Sequence, residues 1–378
     1  MFNHFGAKNE ASAQMLQQYT VDGTSSVNVI RKKGNVELWM EARPIPTISD
    51  SSPQVLACEA AAGRRRAAWP LLQWIMDNGG ASAAAFIDSL DDDRLARYLL
   101  EWIALGTWAG KPFVVPASLR SPVARMHLCT VFQPKEGIHA SRAVRVLIEA
   151  LHDDRPALRR TAAEILGRQG MTSAVPALIE ALHDPVERVQ LQVVKALGRI
   201  KDPRAIPALV SLLHCADERL VCQIFIALAQ MGSEAVPSLI EISKGNSTWL
   251  RWQSIYALGK TNDLRALPTL VQGLADDTDD GVVWAAAKGL TQFDRLSVGP
   301  VLRLLIFSEA TPWLVGGATY VLNHQHDSKL EPYIRPVLQQ MHEPGSSIGT
   351  MLAAQKALTD LVADGLGEEC GLGEKLGE

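Results

Sequence analysis

"AVPALIEALHDPVERVQLQVVKALGRIKDPR", residues 174–204, is the stretch whose reading decides the fold. Val175, Leu178, Ile179 and Leu182 recur at the spacing of one helical face. Pro176 falls in the first turn of that helix, where its missing N–H costs no hydrogen bond. An Asp-rich turn follows and is expected to cap a second helix, "VQLQVVKALG". The stretch therefore reads as two short helices, A and B. Such a pair cannot bury its apolar face alone, so it needs neighbours of its own kind.

The neighbours are in the sequence. "AIPALVSLLHCADERLVCQIFIALAQMGSE" begins at Ala205, "AVPSLIEISKGNSTWLRWQSIYALGKTNDLR" at Ala235 and "ALPTLVQGLADDTDDGVVWAAAKGLTQFDRL" at Ala266. Pro176, Pro207, Pro237 and Pro268 are spaced 31, 30 and 31 residues apart. A degenerate copy starts at Ala143, and two looser ones cover roughly 297–329 and 330–361. Small residues on helix B let adjacent helices approach closely. Gly167, Gly198 and Gly259 stand where helix B is expected to end, as glycine does at C′.

This pattern of about 31 residues resembles HEAT repeats, and within them the short HEAT-like class named after the phycobilisome lyases. The resemblance covers 143–361 and is sharpest over 143–296. It implies an all-α, right-handed α-solenoid of about seven helical hairpins, with helix B lining the concave side. Such repeats serve many unrelated proteins, so the resemblance speaks to fold before function.

Within the third full repeat, Trp249, Trp252 and Tyr256 recur at i, i+3 and i+7. At about 100° per residue this aromatic stripe lies roughly 170° from Leu250, Ser254, Ile255 and Leu258. The aliphatic stripe matches the repeat consensus and is the expected core. The aromatics then sit on the opposite face of helix B. Aligned across repeats, the same columns hold Arg160, Arg188, Lys195 and Arg219 early, and Trp284, Trp313 and Tyr320 late. Clustered exposed aromatics often mark an interaction surface, and Trp, Tyr and Arg dominate binding hot spots. The candidate partner-binding residues are therefore Trp249, Trp252, Tyr256, Trp284, Trp313, Tyr320, Arg160, Arg188 and Arg219. The competing reading is that the rings only fill space between adjacent B helices.

Composition narrows the function. A formal charge of −4 argues against a general binder of nucleic acid or anionic membrane. Five scattered cysteines with no CxxC pair suit a reducing compartment. The N-terminus lacks the basic start and apolar run of a signal peptide. No apolar stretch is read as reaching the about 18 residues of a membrane helix. A soluble, cytoplasmic protein is expected.

Outside the repeats, residues 1–57 read as an irregular segment, with a possible β-hairpin where "SSVNVIRKKGNVELWMEA" turns at Lys33-Gly34-Asn35. Residues 43–54 read as a Pro/Ser-rich linker, 58–137 as a helical cap on the first repeat, 138–361 as the repeats, and 362–378 as a disordered Gly- and Glu-rich tail.

Candidate chemistry is thin. His152, His183 and His214 stand 31 residues apart at the ends of A helices. Stacked repeats lie about 9–10 Å apart, too far for one zinc whose ligands sit about 2 Å away. "HCADERLVC" pairs His214 and Cys215 with Cys222 and could supply a thiol for transfer or ligand capture, but cysteine is intrinsically apolar and Cys222 stands at an inner-face position. "NHQHD" (His324, His326, Asp327) could hold a metal, but it lies in an inter-repeat turn where polar residues are routine. HEAT-like deoxyhypusine hydroxylases hold two irons with several His-Glu pairs, and this chain has His342-Glu343 alone. No phosphate loop, GxSxG or HExxH occurs. "GRRRAAW" (63–69) reads as a solvated helix face, against a DNA-binding role like that of HEAT-like glycosylases. The resulting expectation is a non-catalytic scaffold with no cofactor or metal, binding a partner protein or peptide. A bilin lyase or pigment-handling chaperone is the alternative that the repeat subclass implies.

Overall fold

The computed structural model describes residues 16–21, 25–32, 35–41, 52–78, 93–113, 121–132, 142–276, 279–309, 311–343 and 347–372. The chain divides into two units, Met1–Ile165 and Leu166–Glu378.

In the first unit, β1 (Leu16–Val21), β2 (Ser25–Lys32) and β3 (Asn35–Glu41) form an antiparallel sheet in sequence order. The expected hairpin is β2–β3, which pairs Lys32 with Asn35. The sequence reading missed β1. "LQQYTV" lacks a clean alternation, and the strand is defined by the β2 edge it pairs with, Leu16 opposite Ile30.

Helix α1 (Pro53–Ala61) opens on Pro53, so the expected linker gives way to helix at that residue. Residues 43–51 lie outside the described residues. Then come α2 (Arg65–Asn78), α3 (Arg94–Leu105), the short strands β4 (Thr107–Trp108) and β5 (Lys111–Pro112), α4 (Pro122–Cys129), α5 (Arg142–Ala150) and α6 (Pro156–Arg168). Trp108 is fully buried, and its indole N–H donates to the Ala60 carbonyl at 3.1 Å. A buried donor left unmatched would cost the fold, so this bond fixes the ring. Glu101 is also buried. Its Oε1 accepts from Arg155 at 3.3 Å and its Oε2 from the Gly110 amide at 3.1 Å. That pair ties α3 to the start of α6 inside the first unit.

In the second unit the helices come in A–B pairs. They are α7 (Val175–Glu180) with α8 (Glu187–Ile200), α9 (Ile206–Leu212) with α10 (Glu218–Met231), and α11 (Val236–Ser243) with α12 (Thr248–Thr261). They continue as α13 (Leu267–Leu274) with α14 (Asp280–Leu290), α15 (Val298–Phe307) with α16 (Pro312–Asn323), and α17 (Glu331–Met341) with α18 (Ser347–Ala363). This is an all-α solenoid. Proline occupies the first turn of α7, α9, α11, α13 and α17, as the repeat predicts. Asp217 caps α10 and Asp279 caps α14, each carboxylate accepting from the third amide on.

The structure corrects the role of the repeat glycines. Helix α8 runs past Gly198 to Ile200, and α12 runs past Gly259 to Thr261. Their left-handed C-caps are Lys201 (φ 60°) and Asn262 (φ 52°). The glycines instead face the next B helix. A Cβ on Gly198 would sit 2.8 Å from the Ala227 Cα, and one on Gly259 2.5 Å from the Gly289 Cα. A Cβ on Gly167 would meet Ala196 equally closely, at 2.5 Å. Backbone meets backbone there, which only small residues permit.

A second inter-repeat device is polar. In the turn before α9, the Asp202 carboxylate accepts from the Arg204 amide and guanidinium, while Arg204 Nη2 donates to the Thr172 carbonyl at 3.0 Å. Before α13, Asp263 and Arg265 repeat the arrangement, and Arg265 Nη2 donates to the Ser233 carbonyl at 2.7 Å. Each arginine thus clamps the corresponding turn of the preceding repeat. Its hydrogen bonds hold the paired carboxyl below the usual carboxylate range.

Two further expectations change. The tail is not disordered over 362–372: α18 runs to Ala363, and Cys370 is fully buried with its carbonyl accepting from the Gly299 amide at 2.9 Å. The Gly- and Glu-rich composition hid Cys370, which is buried, and Leu366 and Leu372, which are half-buried. Residues 373–378 lie outside the described residues. The stretch Glu218–Ser243 does have the length and hydropathy of a membrane span. Gly232 (φ 68°) breaks it into α10 and α11, and half of its most apolar window is buried inside the protein. It serves as two repeat helices.

Candidate functional site: the aromatic face of the B helices

The phase of α12 settles which way its rings point. Ser247 caps the helix, its Oγ accepting from the Leu250 amide at 3.4 Å. Ser254, Ile255 and Leu258 are then buried, at 0%, 3% and 0% exposure. On the opposite face Trp249 is 37% exposed and Tyr256 41%, with Trp252 half-buried between them. Leu250, in the first turn, is only half-buried; the rest of the aliphatic stripe is core, and the aromatic stripe is partly exposed.

The rings are nevertheless seated. Trp252 and Tyr256 stack with centroids 6.0 Å apart and planes 19° from parallel. The ammonium of Lys260 lies 5.5 Å from the Tyr256 centroid, a cation–π contact. Trp252 reaches across to α14, where a Cβ on Gly281 would come within 3.3 Å of its Cδ1. One repeat on, Trp284 is 36% exposed and meets Tyr320 of α16 edge to face at 5.8 Å. It lies beside Gly316, whose added Cβ would be 3.9 Å away. Tyr320, half-buried, packs against His324 at 4.0 Å between centroids. His324 Nδ1 is 2.7 Å from the Tyr320 carbonyl. Trp313, at the start of α16, is 48% exposed. The rings thus pack against the adjacent B helices, and part of each ring's surface stays open.

Arg188 and Arg219 are exposed on α8 and α10 of the same unit. Arg219 is 3.6 Å from Glu187, a surface pair that adds little stability. Arg160 lies in the first unit, half-buried on α6. Sequence reasoning missed three features of this face. Gly281 and Gly316 act as seats for indoles, Ile226 is 48% exposed in the column of Tyr256, and His324 extends the aromatic row. Gly281 falls in the column of Trp249 and Trp313, and Gly316 in that of Trp252 and Trp284, so their smallness was legible though their role was not.

The other motifs are occupied locally. In "HCADERLVC", Asp217 is the cap of α10, and Cys222 accepts from Gln253 Nε2 at 3.2 Å. In "NHQHD", Asp327 accepts from the Lys329 amide. His342 Nδ1 is 2.6 Å from the Leu338 carbonyl. Among the described residues no group of three His, Cys, Asp or Glu is arranged to hold a metal.

Residues 144–226 and 213–291 match the family model of HEAT repeats. No curated protein matches the sequence. Among solved structures, the CpcE–CpcF complex of phycocyanin lyase from Nostoc sp. PCC7120 is similar at 22% identity, over 67% of this chain and 98% of that one, with a TM-score of 0.30. An archaeal HEAT-like repeats protein from Thermococcus onnurineus NA1 is similar at 17% identity, over 49% and 87%, with a TM-score of 0.34. The karyopherin Kap121p, bound to the extreme C-terminus of the phosphatase Cdc14p, is similar at 12% identity, over 82% and 37%, with a TM-score of 0.42. With the paired helices and the proline pitch in hand, this family match identifies residues 144–291 of the chain as HEAT repeats.

Proposed function

We propose that the chain is a non-catalytic protein-interaction scaffold, and that a partner protein or peptide docks on the aromatic face of α12, α14 and α16. The observation that carries this reading is the pair of ring contacts, Trp252 on Tyr256 within α12 and Trp284 on Tyr320 between α14 and α16, with part of each ring's surface open. A ring held by its neighbours loses little conformational freedom on binding and presents apolar area at once. Arg188 and Arg219 supply charged donors at the other end of the same series of helices.

Affinity capture from the source organism tests it, with wild type beside Trp252→Ala/Trp284→Ala. Proteins and small molecules are both identified by mass spectrometry, and folding is checked by circular dichroism. A stoichiometric protein partner lost in the folded double variant supports the reading. Equal capture by both proteins sinks it and makes the rings packing. Recovery of a linear tetrapyrrole in place of a protein would move the assignment to pigment handling.

A further inference from the structure

The charges on the B helices are sorted. Helices α8, α10, α12, α14 and α16 carry three carboxylates between them, Glu187, Glu218 and Asp280, and each is the first residue of its helix. An acid at that place is favoured by the helix dipole and lies at the edge of the face. On these five helices the columns that hold the rings contain no carboxylate. They hold Arg188, Lys195, Arg219 and Lys288, while Arg199 and Lys260 continue the same face one turn further along their helices, and all six are exposed. The seventh cation of these helices, Arg251, is turned away toward Asp276 at 3.5 Å and is largely buried. This cationic face belongs to a chain whose net charge is −4. The sign of the face is therefore opposite to that of the whole molecule.

The cations and rings are also ordered along the array. Helices α8 and α10 contribute four of the six exposed cations and none of the rings. Helices α12, α14 and α16 contribute all six rings, with Lys260 and Lys288 among them. The contacts recur helix after helix, so a chain laid across the B helices would meet them one at a time.

We infer that the occupant of this face is an acidic, extended segment of a partner protein. Its carboxylates lie over α8 and α10, and its proline, aliphatic or aromatic side chains lie on the rings of α12 to α16. This inference rests on the scaffold reading and adds the partner's charge, conformation and direction. Charge-assisted hydrogen bonds from guanidinium to carboxylate give the acidic end its specificity. Stacked aromatic surfaces receive extended apolar segments at low entropic cost.

The test is selection of a displayed library of random peptides about ten residues long on the full chain. One recovered peptide is then synthesised and its affinity measured by fluorescence anisotropy against wild type, Trp252→Ala/Trp284→Ala and Arg188→Glu/Arg219→Glu. Circular dichroism confirms that both variants fold. The expected result is enrichment of Asp and Glu beside apolar residues, at least about tenfold weaker binding to each variant, and weakening as salt is raised. Peptides without an acidic excess, lost on the Trp variant, overturn the inference and leave the scaffold reading standing. Peptides that bind the Trp variant undiminished overturn both. Recovery of no peptide, or displacement of the peptide by a tighter-binding oligothymidylate, overturns the inference.

Discussion

Trp252 on α12 lies against Gly281 on α14, where an added Cβ would stand 3.3 Å from the indole Cδ1. The ring is thus half seat and half surface. Its removal should cost about 1–2 kcal/mol, in the ordinary range for a partly exposed side chain. Trp108 is fully buried and hydrogen-bonded, and Trp108→Ala should cost about 3–5 kcal/mol. Urea denaturation of the two variants makes the comparison. Equal costs would mean that Trp252 belongs to a core.

Gly259→Ala separates the two roles considered for the repeat glycines. Helix propensity alone favours alanine by about 1 kcal/mol. The Gly289 backbone lies where the new methyl would go, at 2.5 Å, so overpacking of about 1–3 kcal/mol should win. The expected sign is destabilising. Lys201→Gly should do the reverse. Lys201 holds φ 60° at the end of α8, a conformation that costs a side chain about 1 kcal/mol. Thermal melts read both signs.

The clamps make stability depend on acid. Hydrogen bonds from Arg204 and Arg265 lower the folded-state pKa of Asp202 and Asp263. A depressed carboxyl contributes stability that is fully present above its unfolded pKa and is lost as pH falls through its folded one. Asp202→Asn/Asp263→Asn should therefore be less stable than wild type at neutral pH, by about 1 kcal/mol per site. The gap should hold down to about pH 4 and then narrow. A gap that widens with acid would remove the clamps from the account.

Thiol accessibility checks the C-terminal turn. Cys58 and Cys215 are exposed, whereas Cys129 and Cys370 are buried. Burial also pushes the Cys370 thiol up, which lowers its thiolate fraction. In native protein, labelling with a thiol reagent should modify Cys58 and Cys215 first and leave Cys370 until unfolding. Early modification of Cys370 would free residues 364–372 from α15.

The helix pairs and the aromatic stripe were legible because both depend on local periodicity. The prolines in the first helical turn and the residues Ile255 and Leu258 speak for their own helix. The role of Gly198 was not legible, because a glycine near a helix end looks the same whether it turns the chain or admits a neighbour. Ala227, 29 residues away, decides it. Arg204 and Arg265 were missed for a related reason: their distant acceptors are backbone carbonyls, which every residue has. On the candidate site, the columns and their rings were readable, while the seats at Gly281 and Gly316 required the next helix to be in place.

The clamps fall on alternate turns. Arg204 joins the α9–α10 pair to the one before it, and Arg265 joins α13–α14 to α11–α12. In the turn between them, Glu234 stands where the arginine would be, and a carboxylate has no donor for the earlier carbonyl. The four repeats from α7 to α14 are thus pinned in two pairs along that edge. A pull on these four repeats should open first at the unpinned joint between α10 and α11, so the stretch yields as two double coils and not as four single ones.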